Sequence, residues 1–525
     1  MPADDCRRLI GVEGPPAPGA TTTEVRRFLD RTEGALARID RSLFRAWWNE
    51  YVGHPSGARE RWDLARSRFL GRPDLFSFVR SASSRPHSPQ VERRLELLRR
   101  IVEDAVVEQH PQVVELRNRL ERRVMAFRPV IDGRGVTQAE ARAIVRKDNH
   151  RSRRRSAYRA MERLSMELED DLLELVEARN VRARALGYRS FIEFRLAADG
   201  LTLAALDEVA DRVRRAGRDA LRADREEFLT TSGESGFFPW DSGYASQKRQ
   251  PFSDRRFPGR TMVRDVLKGI RAWGFRPRGR PFEIVRRSIP IGGMTLAIQI
   301  PSDVRVVVNP TGGWIHYLVL FHEFGHAVQA SSTRAPTHLL RGPENIPGFA
   351  GFHEAMGALF ENISMNVPWL RQQSGISSEQ GREALEFFER TRARNDAWTA
   401  IWVRKEMDLY RRPRSNLASA FHRIDREARG YDDYPPSSFA DPFWVDAAFY
   451  GKNYLIAAVL SAQLLWAMRE DTRGEVWPNP KAVPWLTRHF FRHGAQFDWV
   501  PRVKEVTHRP FGSSDYLSGL HEARS

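Results

Sequence analysis

A chain of 525 residues, 41% hydrophobic and 29% charged with 36 Gly and 31 Pro, can build several core-bearing units and is not a disordered or fibrous polymer. Its formal charge of +17 comes from arginine, only seven of the 84 basic residues being lysine; it is spread along the chain without a nucleic-acid motif, so it reads as solvated helix faces and no nucleic-acid partner is expected. The lone cysteine, Cys6, excludes an intramolecular disulfide and a thiolate cluster, leaving His, Asp and Glu to hold any metal.

Residues 1–20, rich in Gly, Pro and Ala, read as a disordered leader without an apolar signal segment. No later stretch has the apolar length of a membrane span, so a cytoplasmic protein is expected. From Thr23 a helical period begins, with Val25, Phe28, Leu29, Leu36, Ile39, Leu43 and Trp47 at three- and four-residue spacings. Further helices are predicted over Arg93 to Val106, Thr137 to Arg146 and Ser152 to Leu186, the last ended by Gly187 as a left-handed cap. Residues 21–228 are thus expected to form an N-terminal helical half. The Gly-, Ser-, Pro- and aromatic-rich stretch 229–260 reads as an ordered connector. Residues 261–525 form a second half, and the two lobes are expected to intertwine.

Within that half, "GGMTLAIQI" and "DVRVVVNP", separated by Pro301 and Ser302, predict two short strands, the only convincing β signal. An edge strand can align an extended peptide by main-chain hydrogen bonds. Arg305 and Val307 are the candidate substrate contacts, although the pattern does not say which strand is exposed.

The next segment, "WIHYLVLFHEFGHAVQASS", carries HExxH. On a helix His322 and His326 share one face and can direct two imidazoles at one ion, while Glu323 sits beside it as a candidate general base. Three downstream carboxylates compete as the third ligand. Glu344 lies in a proline-flanked loop and is the less precise choice. Glu354 and Glu361 lie on the predicted helix "GFHEAMGALFENISM", where a gap of seven residues is two turns. Glu354 then completes a His2Glu site, and Glu361 accepts a hydrogen bond from the far nitrogen of a ligand histidine. Gly325 and Gly357 would let the two backbones approach. His353 either lines the pocket or packs.

These residues resemble the gluzincin peptidases of the thimet oligopeptidase and oligoendopeptidase F family, through "LFHEFGHAVQ" and the pattern Glu354, Ala355, Glu361, Asn362. "GFHEAMG" is similar to the corresponding segment of angiotensin-converting enzyme. The resemblance implies a mainly α-helical clamshell with a deep central channel, one small β-sheet beside the HExxH helix, and one zinc ion per chain on the channel floor. It also implies an oxyanion-binding tyrosine near the start of the apolar segment 441–468, for which Tyr454 is the candidate, with Tyr450 four residues earlier. Both families place a histidine ten to twelve residues before that tyrosine; here Pro442 and Trp444 stand in its place.

The expected function is zinc-dependent hydrolysis of short oligopeptides at internal bonds. A terminal dipeptidase or carboxypeptidase, or a zinc-retaining peptide-binding protein, are the alternatives. Nothing in the sequence reports on oligomeric state.

Overall fold

The computed structural model describes residues 14–522 apart from 18, 55, 248, 249, 278, 280, 290, 291, 344, 436 and 437. Most of the leader, Cys6 and the third-ligand candidate Glu344 therefore lie outside the described residues. The rest is mainly α-helical, from Thr22–Val52 to Ser514–Glu522, with two small sheets. None of the described helices is long and apolar enough to cross a membrane.

The long helices start where local chemistry dictates. Thr21 and Glu24 close a capping box ahead of Thr22–Val52, as do Ser377 and Gln380 ahead of Ser378–Arg411. The helix Arg151–Ala185 ends at Gly187, whose φ of +98° is the left-handed cap expected there. The stretch between the halves holds a helix, Pro239–Gln247, and a short 3-10 turn, Asp254–Arg256.

The apolar cores cross the halves. One joins side chains from 107–213 to others from 400–459, and another joins 25–105 to 335–349 and Ala495. Buried carboxylates tie the same elements together. Asp40 accepts from Arg66, His338 and Asn345, and Glu33 accepts from Arg94 and from the Leu339 backbone N–H. The loop that follows the HExxH helix is thereby pinned to the helix Thr22–Val52.

The sheet beside that helix has three strands. Asp303–Val308 is central, flanked in parallel by Glu283–Arg286 and antiparallel by Gly293–Gln299. This corrects the assignment of Arg305 and Val307 as substrate contacts. Arg305 registers with Glu283 on one side and Leu296 on the other, and Val307 with Val285 and Met294, so their strand presents no open edge. The Arg305 guanidinium pairs with Asp303 at 2.7 Å and Glu283 at 3.4 Å, while Val307 is buried beside Phe44 and Trp48. Among the described residues the two outer strands, Glu283–Arg286 and Gly293–Gln299, each keep one edge without a strand partner, and Gly293–Gln299 is the one that packs against the HExxH helix.

The second sheet is a hairpin, Val130–Ile131 against Arg134–Gly135. It turns through Asp132 and Gly133, both at positive φ.

Candidate metal centre

The HExxH helix spans Trp314–Ser332 and packs through Tyr317, Leu320, Phe321, Phe324 and Val328 into the largest apolar core. The third-ligand helix, Ala350–Ser364, crosses it at two glycines. A Cβ on Gly325 would lie 2.5 Å from the Met356 carbonyl oxygen, and one on Gly357 would lie 2.4 Å from the His322 ring. A side chain at Gly325 would have to displace the partner helix, and one at Gly357 would have to displace the His322 ring or the helix that carries it.

At this crossing His322, His326 and Glu354 converge, with one donor atom from each lying within 4.8 Å of the others. His322 Nε2 is 3.0 Å from His326 Nε2 and 3.3 Å from Glu354 Oε2. Zinc bonds of ~2.0–2.1 Å in tetrahedral geometry separate ligand atoms by roughly 3.3 Å, so the donor set is spaced for such an ion. Glu361 Oε1 accepts from His322 Nδ1 at 2.8 Å, which fixes the proton there and turns the Nε2 lone pair inward. The two Nε2 atoms face each other at hydrogen-bond distance, an arrangement that favours a proton or a metal cation between them. The electrostatics agree with a site built for positive charge. Burial lowers the His322 pKa, but Glu354 and Glu361 outweigh it and hold the ring well above its usual range. Burial likewise opposes the low pKa of Glu354, yet His322 and His326 bring its carboxyl down to about 2. His326, buried and facing a cationic neighbour, is pushed down to about 3.

Glu323 is buried on the adjacent helix face and is not one of the converging donors. Burial raises its carboxyl above the ordinary range, partly offset by His322. Thr295 Oγ1 donates to the Glu323 backbone carbonyl at 2.8 Å, anchoring the edge strand to the helix beside the metal donors.

Tyr450 and Tyr454 have different surroundings. The helix begins at Gly451, but Tyr450 already has helical dihedrals, so the two rings share a face with centroids 5.4 Å apart. The Tyr450 hydroxyl donates to Glu354 Oε1 at 2.6 Å and so orients a metal donor. Tyr454 is 43% exposed, lines the cavity and has no hydrogen-bond partner among the described residues. Partial burial, then the Glu354 and Glu323 carboxylates, raise its pKa and keep it a donor. His353 also lines the cavity, its Nε2 without a partner among the described residues, and burial holds it neutral with a pKa of about 4. Trp444, at the place of the missing histidine, is buried in a different core and does not line the cavity.

A buried carboxyl sets up the tyrosines from behind. Phe449 is held at φ +56°, and its backbone N–H donates to Glu406 Oε1 at 2.5 Å. Burial pushes the Glu406 pKa up to about 8, Phe449 opposing. Between the ordinary carboxyl range and pH 8 the folded chain keeps a proton that the unfolded chain has released, so stability falls as pH rises through that window and levels off above it. Glu406→Gln keeps the acceptor and removes the titration. Its unfolding free energy is expected to lose on the order of 2–4 kcal/mol less than the wild type between pH 5 and 8. Parallel stability curves from denaturant titrations would overturn this.

His322, His326, Glu354, Glu323 and both tyrosines line one cavity of about 280 Å³ with Gly293, Met294, Thr295 and Ala297 of the edge strand. It is also lined by Gln329, Thr333, Arg341, Phe349 and Phe352, which sequence reasoning did not single out. Gln329 had a signal, since it lies seven residues after His322 on the same helix face. Arg341 had none, because it sits in a loop placed only by tertiary contacts.

No family model matches the sequence, and no curated protein matches it. Solved structures do match. The M32 carboxypeptidase from Deinococcus radiodurans R1 aligns with a TM-score of 0.64 and 18% identity over 95% of this chain and 98% of that one. PZ peptidase A in complex with an inhibitor aligns at 0.67 and 16% over 99% and 95%. A protein assigned as oligoendopeptidase F aligns at 0.69 and 17% over 99% and 95%. The likeness is one of fold and runs nearly end to end.

Proposed function

We propose that this chain is a zinc-dependent peptidase acting on short oligopeptides, with the ion held by His322, His326 and Glu354 and with Glu323 as general base. The observation that carries this reading is the convergence of the three donors and Glu323 on one cavity, beside a strand whose edge is open for pairing. A zinc ion held by His322, His326 and Glu354 would supply Lewis acidity, polarising a peptide carbonyl and acidifying a water.

The protein groups supply the rest. The edge strand Gly293–Gln299 aligns an extended substrate through its backbone. Glu323, its carboxyl raised by burial, takes a proton from the attacking water and passes it to the leaving amine. Tyr454, protonated and facing the cavity, donates to the developing oxyanion. Tyr450 and Glu361 act through the donors they hold, one on Glu354 and one on His322.

Internal cleavage is the first reading. Terminal release is the second, favoured by the carboxypeptidase among the fold neighbours. Mass spectrometry of a short-peptide library after incubation with the zinc-loaded protein decides between them. Internal cuts are expected, abolished by a chelator and restored by added zinc. Single residues or dipeptides shed from one end would favour the second reading, and an intact library with zinc bound would remove both.

A further inference from the structure

The arginines that hold this fold together are matched with carboxylates: Arg94 with Glu33, Arg154 with Asp241, Arg179 with Glu108. Those on one side of the metal site are not. Arg341 is the only Lys or Arg in the cavity lining among the described residues. Its guanidinium donates from Nε to the Ala335 carbonyl at 3.1 Å, from Nη1 to that of Ile300 at 3.2 Å and from Nη2 to that of Pro336 at 3.4 Å. Three backbone carbonyls thus fix its position, two of its five N–H groups remain, and it has no carboxylate partner among the described residues.

Pro301, Ser302 and Arg334, next in sequence to the cavity-lining Ile300 and Thr333, line a second hollow of about 950 Å³. Arg276, Arg334, Arg488 and Arg492 line it and no Asp or Glu does; none of the four pairs with a carboxylate among the described residues. The ends of nearby helices account in part for two of them. Arg334 donates to the Ser331 carbonyl at the end of the HExxH helix, and Arg488 sits in the last turn of Ala482–His489. Helix ends carry only partial charges, so the cluster keeps a net positive field.

The edge strand connects this field to the reacting centre. It runs from Gly293, where a Cβ would lie 3.0 Å from Glu323 Cγ, to Gln299, just before Ile300, whose carbonyl accepts from Arg341. The seven residue steps from Gly293 to Ile300 span roughly 23 Å at ~3.3 Å per residue, so a peptide paired with this strand brings a group up to about seven residues from the bond beside Glu323 to Arg341.

We infer that this side of the cleft reads a carboxylate on the peptide, fixed by Arg341 and drawn in by the arginine-lined hollow behind it. The inference rests on the peptidase reading for the direction of the substrate. The carboxylate has two sources, the peptide's own C-terminus or an Asp or Glu side chain, and each predicts a different cleavage pattern.

The test measures binding apart from turnover. Zinc-loaded Glu323→Gln protein is titrated by calorimetry with one neutral hexapeptide in three forms: C-terminally amidated, with a free C-terminus, and amidated with Glu placed at each position in turn. One added carboxylate is expected to tighten binding roughly 10- to 100-fold. Arg341→Ala abolishes the gain, Arg341→Lys restores only part of it, and Arg334→Ala with Arg488→Ala reduces it and its salt dependence. A gain from the free terminus alone identifies terminal recognition, and a gain from Glu with the terminus amidated identifies an acidic side chain. Equal binding of all forms, or a gain that survives Arg341→Ala in a protein that melts like the parent, overturns the inference. Wild-type cleavage of the neutral peptide would then still support the peptidase. Carboxylate-dependent binding without cleavage of any form by the wild type instead removes the peptidase reading and leaves the carboxylate site, and no binding of any form removes both.

Discussion

Replacing Glu323 by Gln is expected to leave the metal in place and lower peptide turnover by about 100- to 10,000-fold, the usual contribution of a positioned general base. The separation follows from geometry. The converging donors that could hold the metal are His322, His326 and Glu354, and Glu323 lies beside them without joining the set. Its backbone is held independently, since its carbonyl accepts from Thr295 and its helix is locked into the main core, so an isosteric amide changes neither the fold nor the donor set. A glutamine accepts a hydrogen bond from water but cannot take its proton. The loss should therefore fall on kcat, with zinc content by atomic absorption unchanged and KM moved little. Zinc lost along with activity would make Glu323 a ligand, and activity retained would place the base elsewhere.

How much of this site could be read in advance depended on how local each feature is. The HExxH spacing places two imidazoles on one face of any helix, whatever surrounds it. The seven-residue gap between Glu354 and Glu361 likewise places two carboxylates two turns apart, and His322 is found between them, Nε2 toward the first and Nδ1 toward the second. Strand order is a different kind of fact. The segment Glu283–Arg286 is four residues with charged ends, and its parallel pairing with Asp303–Val308 is decided by packing across the sheet. Without it Arg305 and Val307 look like an open edge; with it they are enclosed. The hairpin at Val130 carried a local signal, Asp132-Gly133, but strands of two residues leave no alternation to read. Arg341 depends on a loop held by Asp40 and Glu33 from the far end of the chain, a contact no local pattern reports.

The close crossing of the two metal helices carries the second large effect. Gly357→Ala is expected to weaken zinc binding by about 10- to 100-fold while the chain still folds. The added methyl would sit 2.4 Å from His322 Cε1 and 2.6 Å from both ring nitrogens, well inside the ~3.5–4.0 Å of carbon contact, so the imidazole or a helix must move. The ring has nowhere neutral to go, because Nδ1 is bonded to Glu361 and Nε2 is one of the converging donors. Moving the helix is no easier, since Gly325 touches the Met356 carbonyl and both helices are packed into one core. Overpacking of this kind costs roughly 1–3 kcal/mol, and displacing a ligand's support costs about 10- to 100-fold in metal affinity even when the ligand itself remains. Gly34→Ala is the matched control. Gly34 also lies within a helix, but its added methyl meets nothing nearer than Arg38 at 3.7 Å, so that change should raise stability by a few tenths to ~1 kcal/mol and leave zinc affinity alone. If Gly357→Ala binds zinc as the wild type does in a competition titration, His322 can leave its slot at no cost, and the tight helix crossing is not what positions the metal.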